Sequence, residues 1–164
     1  VNTSPPSWQE KLIHDLPRLG HRNWIAIVDS AYPWQNASGI DLIETGAEQL
    51  EVVRAVLHAI DAARHVRPLI YLDAELSHLP EEDAPGIGAY REALGRLVEK
   101  HQPQAQPHDQ IIAQLGEAGE AFRILIFKTN LTLPYTSVFL QLDCGYWSAA
   151  AENRLRARVR ATSS

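Results

Sequence analysis

Residues 18–33 read RLGHRNWIAIVDSAYP. A histidine, His21, precedes an apolar run, and an aspartate, Asp29, closes it. The core of a strand has no use for either residue, whereas both can hold or move a proton. Two further strand-like runs end in ionisable groups: PLIYLD closes on Asp73, and FRILIF is followed by Lys128. Pro107 favours a helix start, which places His108 in a first turn. The helix dipole there disfavours imidazolium, and a neutral imidazole can both accept and donate a proton. The chemistry on offer is proton transfer. Each residue also has a plain structural reading: Asp29 as a cap, His21 as a turn residue after Gly20, His108 as a solvated helix start.

The elements that must position these groups follow from periodicity. Ser7 and Glu10 have capping-box spacing, which predicts a short helix over 8–15. WIAIVD at 24–29 is apolar on both faces, as a central strand covered by helices would be. Residues 30–38 read as loop and 39–44 as a short strand. Leu50, Val53, Leu57 and Ile60 give three-and-four spacing, hence an amphipathic helix over 47–63. Strands are expected at 68–73, 122–127 and 137–142, and helices at 89–101 and about 107–116. Residues 80–88 read as a loop or partly mobile insert, and the Ala- and Arg-rich tail from 148 to 160 as helix. Alternation of strands and helices predicts an α/β layered fold with a mainly parallel central sheet flanked by helices. One domain over 1–164 is the simplest division, with 1–6 as a loose lead-in and 148–164 as a C-terminal extension.

Composition removes several function classes. The 164 residues are 45% hydrophobic with a net charge of −5, so no basic excess points to nucleic acid. No apolar run approaches the roughly 20 residues of a membrane helix. A single cysteine, Cys144, rules out an internal disulfide and a CxxC metal site, and makes a cytoplasmic address the default. A chain that opens on Val1 and has no methionine leaves a processed, exported form open. GxSxG, GxGxxG and P-loop patterns are absent. His58 and His65 lie seven apart on one predicted helix, a weak pair without a third ligand, and both read as surface residues. His78, Glu81, Glu82 and Asp83 read as a solvated acidic loop. No metal site is expected. Tyr32, Trp34, Tyr146 and Trp147 fall in connections, where flat rings suit the C–H faces of sugars or, equally, a subunit contact.

The order of short motifs resembles the D-ribose pyranase and L-fucose mutarotase family. They are LGH at 19–21, the strand ending in Asp29, Pro33, GIDL at 39–42, Gly46, LIYLDAEL at 69–76, HDQ at 108–110, KT at 128–129 and PYTSVFLQL at 134–142. The resemblance spans roughly residues 12 to 145. It implies a cofactor-free isomerase that interconverts monosaccharide anomers or ring forms, assembled as a homo-oligomeric ring, often a decamer, with sites near subunit contacts. By that resemblance His21, Asp29 and His108 are catalytic and Tyr135, Ser137 and Lys128 contact the sugar; Trp34 joins the sugar contacts as a flat ring in a connection. The chain also departs from the family pattern. Asn130 and Leu131 stand where Gly-Glu is usual, Ser137 where asparagine is usual, and Ile112 where lysine is common. Those changes imply a less polar site and leave a non-catalytic sugar-binding or ring-assembly protein as the alternative.

Overall fold

The computed structural model describes residues 4–163. Six strands form one sheet: β1 (Trp24–Val28), β2 (Ile40–Glu44), β3 (Val66–Asp73), β4 (Gln104–Gln106), β5 (Ile124–Lys128) and β6 (Val138–Cys144). Their order is β2-β5-β1-β6-β3-β4. β1, β2 and β5 are mutually parallel neighbours, β3 and β4 are parallel, and β6 runs antiparallel to both β1 and β3. Five strands therefore point the same way and β6 alone runs against them, so the sheet is mainly parallel, as the alternating pattern predicts. The three-residue β4 is the strand that the apolar pattern misses. Gln104–Gln106 carries no alternation to read, and its pairing with β3 supplies the order.

The helices are α1 (Trp8–Asp15), α2 (Gln49–Ala62), α3 (Ile87–Val98), α4 (His108–Ala121) and α5 (Ala149–Thr162). Strand β1 is fully buried, and its side chains divide by parity. Ile25 and Ile27 enter the core that α1, α2 and α3 cover, with Leu12, Val56 and Leu94. Trp24, Ala26 and Val28 face the opposite core, where Ile111 and Leu115 of α4 pack. The sheet is thus sandwiched between three helices and one. At Gly39 an added Cβ would collide with the Gly119 carbonyl, so only glycine lets the start of β2 lie against the end of α4.

The caps follow the sequence closely. The Ser7 hydroxyl accepts from Glu10 N–H at 3.2 Å, and the Glu10 carboxylate accepts from Ser7 N–H at 2.7 Å. The 80–88 segment is more ordered than its composition suggests. Glu81 accepts from the N–H groups of Gly86 and Gly88 at 2.5 and 3.0 Å and so closes the turn before α3. His65 lies beyond the end of α2 and therefore shares no helix face with His58. Its Nε2 lies 3.2 and 3.0 Å from the carbonyls of Leu16 and Leu19 and joins them to the body. No helix among the described residues is long and apolar enough to cross a membrane.

Candidate functional site

Strand direction decides which sequence candidates meet. Asp29 lies just past β1, Asp73 ends β3, Lys128 ends β5, and His108 opens α4 just after β4. All lie at the carboxyl end of the five parallel-directed strands, where open α/β sheets place their ligands. Because β6 is reversed, its preceding loop, with Tyr135, reaches the same end. Asp29, His108 and Tyr135 line one cleft together with Tyr32, Gln35 and Ile112. Its volume is about 420 Å³, inside the range of roughly 300–1,000 Å³ for small-molecule sites.

The chemical centre of the cleft is a histidine–aspartate pair. His108 Nδ1 lies 2.9 Å from Asp73 Oδ1. With Asp73 ionised, Nδ1–H donates to it, the tautomer is fixed, and Nε2 keeps its lone pair toward the cleft. The backbone N–H of His108 is held by both carboxylate oxygens of Glu75, each at 3.1 Å. Tyr135 packs edge-on against the imidazole, with ring centroids 5.5 Å apart. The Tyr135 backbone is left-handed, with φ of 55°. That conformation costs a non-glycine residue of order 1–3 kcal/mol, and here it aims the ring at His108. Burial raises the pKa of Asp73; the hydrogen bond from His108 opposes the rise, and the charges of Glu75 and Asp29 add to it.

Among the described residues four buried side-chain polar atoms lack a well-formed hydrogen bond: Tyr32 Oη and Gln35 Oε1, neighbours on residues that line the cleft, Asp73 Oδ2 behind it, and His101 Nε2 elsewhere. Burial raises the Tyr32 pKa, with the neighbouring Gln35 opposing, so the hydroxyl stays a protonated donor. Buried polar groups are seldom left unmatched without a functional reason. A polyhydroxylated ligand could engage the Tyr32 hydroxyl as donor and the Gln35 carbonyl as acceptor, since both residues line the cleft.

Behind the cleft a buried network fixes the strand ends. Gln49 donates to the carbonyls of Ile27 and Thr136 at 3.0 and 2.9 Å and accepts from Thr129 at 2.7 Å. The Tyr90 hydroxyl also donates to the Thr136 carbonyl, at 2.5 Å. Burial drives the Tyr90 pKa well up.

Four of the sequence candidates stand elsewhere. His21 is at the amino end of β1, separated from Asp29 by roughly 16 Å of strand. Its Nδ1 lies 3.0 Å from Asp143 Oδ1, and its side chain is 59% exposed. Asp143 is also held by Arg67 at 2.6 Å, which helps keep its carboxyl below the usual range although burial works against this. Lys128 Nζ donates to the Tyr32 carbonyl at 2.8 Å, so it steadies the cleft loop without lining the cleft. Ser137 is buried, and Trp34, 84% exposed, points away from the lining although both its neighbours contribute to it. Conversely, sequence reasoning notes Asp73 and Tyr32 but gives neither a place in the site. Asp73 carries the same strand-end signal as Asp29; what singles it out is β4, which brings His108 beside it.

Several solved structures share this architecture. Bacillus subtilis RbsD complexed with D-ribose superposes with a TM-score of 0.59 at 15% identity, covering 86% of this chain and 97% of that one. The fold is that of RbsD and FucU. FucU from Bifidobacterium longum matches at TM-score 0.56 and 14% identity, covering 81% of this chain and 93% of its own. The fucose mutarotase of Streptococcus pneumoniae in complex with L-fucose matches at TM-score 0.56 and 17% identity, covering 87% and 98%. No protein-family model and no curated protein sequence matches the chain. The expected α/β architecture and the resemblance of 12–145 to pyranases and mutarotases are thus matched at the level of the fold.

Proposed function

We propose that the chain is a cofactor-free monosaccharide isomerase of the mutarotase or pyranase type. The observation that carries this reading is the His108–Asp73 pair at the wall of a monosaccharide-sized cleft that Asp29, Tyr32 and Gln35 also line. In ring opening, His108 Nε2 takes the proton of the anomeric hydroxyl. The anomeric carbon–oxygen bond becomes a carbonyl, the bond from that carbon to the ring oxygen breaks, and the ring oxygen receives a proton. Rotation about the freed carbon and reversal of the same steps give the other anomer or ring size. Asp29 and the Tyr32 hydroxyl hold the sugar hydroxyls, Asp29 through charge-assisted hydrogen bonds. Tyr135 and Ile112 offer apolar contact to C–H faces.

The second proton belongs, in this reading, to His21 of another copy. His21 is aligned by Asp143 and exposed at the opposite end of the same strand, so it can serve only a neighbour's cleft. A contact between unlike ends is heterologous and closes into a ring when its rotation allows, which accords with a homo-oligomer such as a decamer. The test is NMR exchange between the anomers of D-ribose and of L-fucose. His21→Ala and His108→Ala should each be inactive alone. Mixed after dissociation and reassembly, they should regain activity, because some clefts then pair an intact His108 with an intact His21. Wild-type protein that failed to accelerate exchange of any common aldose would sink the reading. Inactivity of the mixture alone would remove the shared site.

A further inference from the structure

Among the described residues the last helix, α5, touches the body of its own chain only near its start, where Ala151 lies by Arg67. Ser148 caps it by accepting from Ala151 N–H at 3.0 Å, and Trp147 Nε1 donates to Glu152 at 2.7 Å. Beyond Glu152 every described residue is exposed. Yet the helix has a sided pattern. Ala151, Leu155, Val159 and Thr162 fall on one stripe at three-and-four spacing, with Leu155 45% and Val159 55% exposed. Arg154 and Arg158 border that stripe and form no ion pair among the described residues. α5 carries four arginines against one glutamate, a net of +3, so the remainder of a chain whose total is −5 carries −8.

A groove of about 500 Å³ between α2 and α3 offers the complementary surface. Leu50, Ala89, Ala93, Leu131 and Leu133 line it; the two alanines, one turn apart on α3, let a helix approach closely. Glu48 stands on its rim, with Glu51 a turn further along α2 and Glu82 and Asp83 in the turn before α3. None of these four carboxylates forms an ion pair among the described residues. Leu131 is also one of the positions where the expected Gly-Glu gives way to an apolar side chain.

Topology says whose helix fits there. The groove lies at the carboxyl end of the parallel strands, beside the starts of α2 and α3 and the segment after β5. α5 departs from the opposite end, after a four-residue connection from the end of β6 at Cys144. The eight residues of β3 alone put roughly 26 Å between the two ends. We infer that α5 is an arm that lays Leu155 and Val159 into the α2/α3 groove of a second copy of this chain, with Arg154 and Arg158 against the Glu48 and Glu51 carboxylates. The inference does not depend on the sugar chemistry.

Disulfide trapping between two differently tagged full-length chains tests it. Both carry Cys144→Ser; one carries Leu155→Cys and the other Ala89→Cys, so a disulfide between the tags can only join two copies. Mixed oxidation should give that product. Asn153→Cys, on the outer face of the helix, should not, and adding Val159→Glu beside Leu155→Cys should abolish it. A yield no greater than with Asn153→Cys overturns the inference. So does a predominant 155–155 product, which would mean arms pairing with arms. Arm-dependent binding to RNA or to phosphatidylglycerol vesicles without the 155–89 product would assign the arginines to another partner and overturn it as well.

Discussion

Replacing Asp73 by asparagine isolates the pair at the centre of the cleft. The side chain keeps its shape and still reaches His108 Nδ1, at 2.9 Å in the native protein. Its charge disappears, and its second terminal atom becomes an amide nitrogen that can donate to Nδ1. That hydrogen bond moves the imidazole proton to Nε2 and leaves no lone pair facing the sugar. General acid–base catalysis is typically worth about 10²–10⁴ in rate, so kcat should fall by that factor, about 3–5 kcal/mol of transition-state stabilisation. KM should change little, because Asp73 lies behind the cleft and lines none of it.

Stability should move the other way, or hardly at all. A hydrogen bond to a charged group contributes roughly 1.5–3 kcal/mol and a neutral one roughly 0.5–1.5, so the variant loses on the order of 1 kcal/mol there. Against this, it no longer buries an ionised carboxylate with an unpartnered Oδ2. The pKa of Asp73 is raised in the folded chain, so the folded state binds this proton more tightly than the unfolded one. The resulting penalty is absent below the unfolded value of about 3.9. It grows as pH rises through the raised folded value and is complete above it. The variant should therefore gain on the wild type as pH rises through that window, with Tm within about 2–4 °C for each kcal/mol. Anomer exchange by NMR and melting curves from pH 4 to 8 measure both quantities. Wild-type kcat in a folded Asp73→Asn protein would refute the role of the pair. A variant that melts far below the wild type at every pH would make Asp73 a structural residue.

Four further outcomes are expected. Tyr135→Gly relieves a left-handed backbone but removes the ring against His108, so Tm should hold or rise slightly while sugar affinity drops, read by calorimetry on one sample. Lys128→Met frees the Tyr32 carbonyl and should raise KM more than it lowers kcat, separating loop support from chemistry. Glu81 is held below its usual pKa by the N–H groups of Gly88 and Gly86. Its stabilisation is therefore present above the ordinary glutamate pKa and lost as pH falls through the lowered one, and Glu81→Gln should lower Tm at pH 7 while leaving anomer exchange unchanged. His21→Gln keeps a hydrogen bond to Asp143 but cannot deliver a proton, so exchange should be nearly as slow as in His21→Ala with an unaltered Tm; a full rate would return His21 to a turn residue.

Much of the fold was legible because it rests on local rules. Ser7 and Glu10 announce a capping box and form one. The double-sided burial of 24–28 follows from an apolar run without polar alternation. Other features lie outside the reach of a local reading. The sequence of 137–142 does not encode that β6 runs against its neighbours, because an antiparallel strand in a covered sheet is apolar on both faces like a parallel one. β4 is three residues of glutamine and alanine whose order comes from β3. The apparent mobility of 80–88 was a composition argument, and a single carboxylate, Glu81, overrides it through two backbone amides.

Of the candidate residues Asp29, His108 and Tyr135 meet in one cleft, whereas His21 does not join them, and the cause is strand length. Motif order along the chain places His21 and Asp29 side by side, but a strand separates its two ends, and a residue ahead of β1 cannot meet one beyond it. The two candidate histidines each pair with an aspartate, His108 with Asp73 at the carboxyl end and His21 with Asp143 at the amino end. In the first pair the Asp73 side chain is fully covered and His108 is half-buried at the cleft wall; the second is open, with the His21 side chain 59% exposed. A base that must hold one tautomer gains from the covered arrangement. An acid that must reach into another copy needs the open one. The proposed ring opening uses both, one to take a proton and one to give it. A chain that carries one pair at each end meets that demand only when unlike ends touch, so loss of assembly should abolish anomer exchange while leaving each copy folded and His108–Asp73 intact. Dilution below the association range, with exchange rate and mass followed together, measures this. A dissociated single copy with an undiminished rate would show that the cleft of one chain is sufficient and that His21 plays no part.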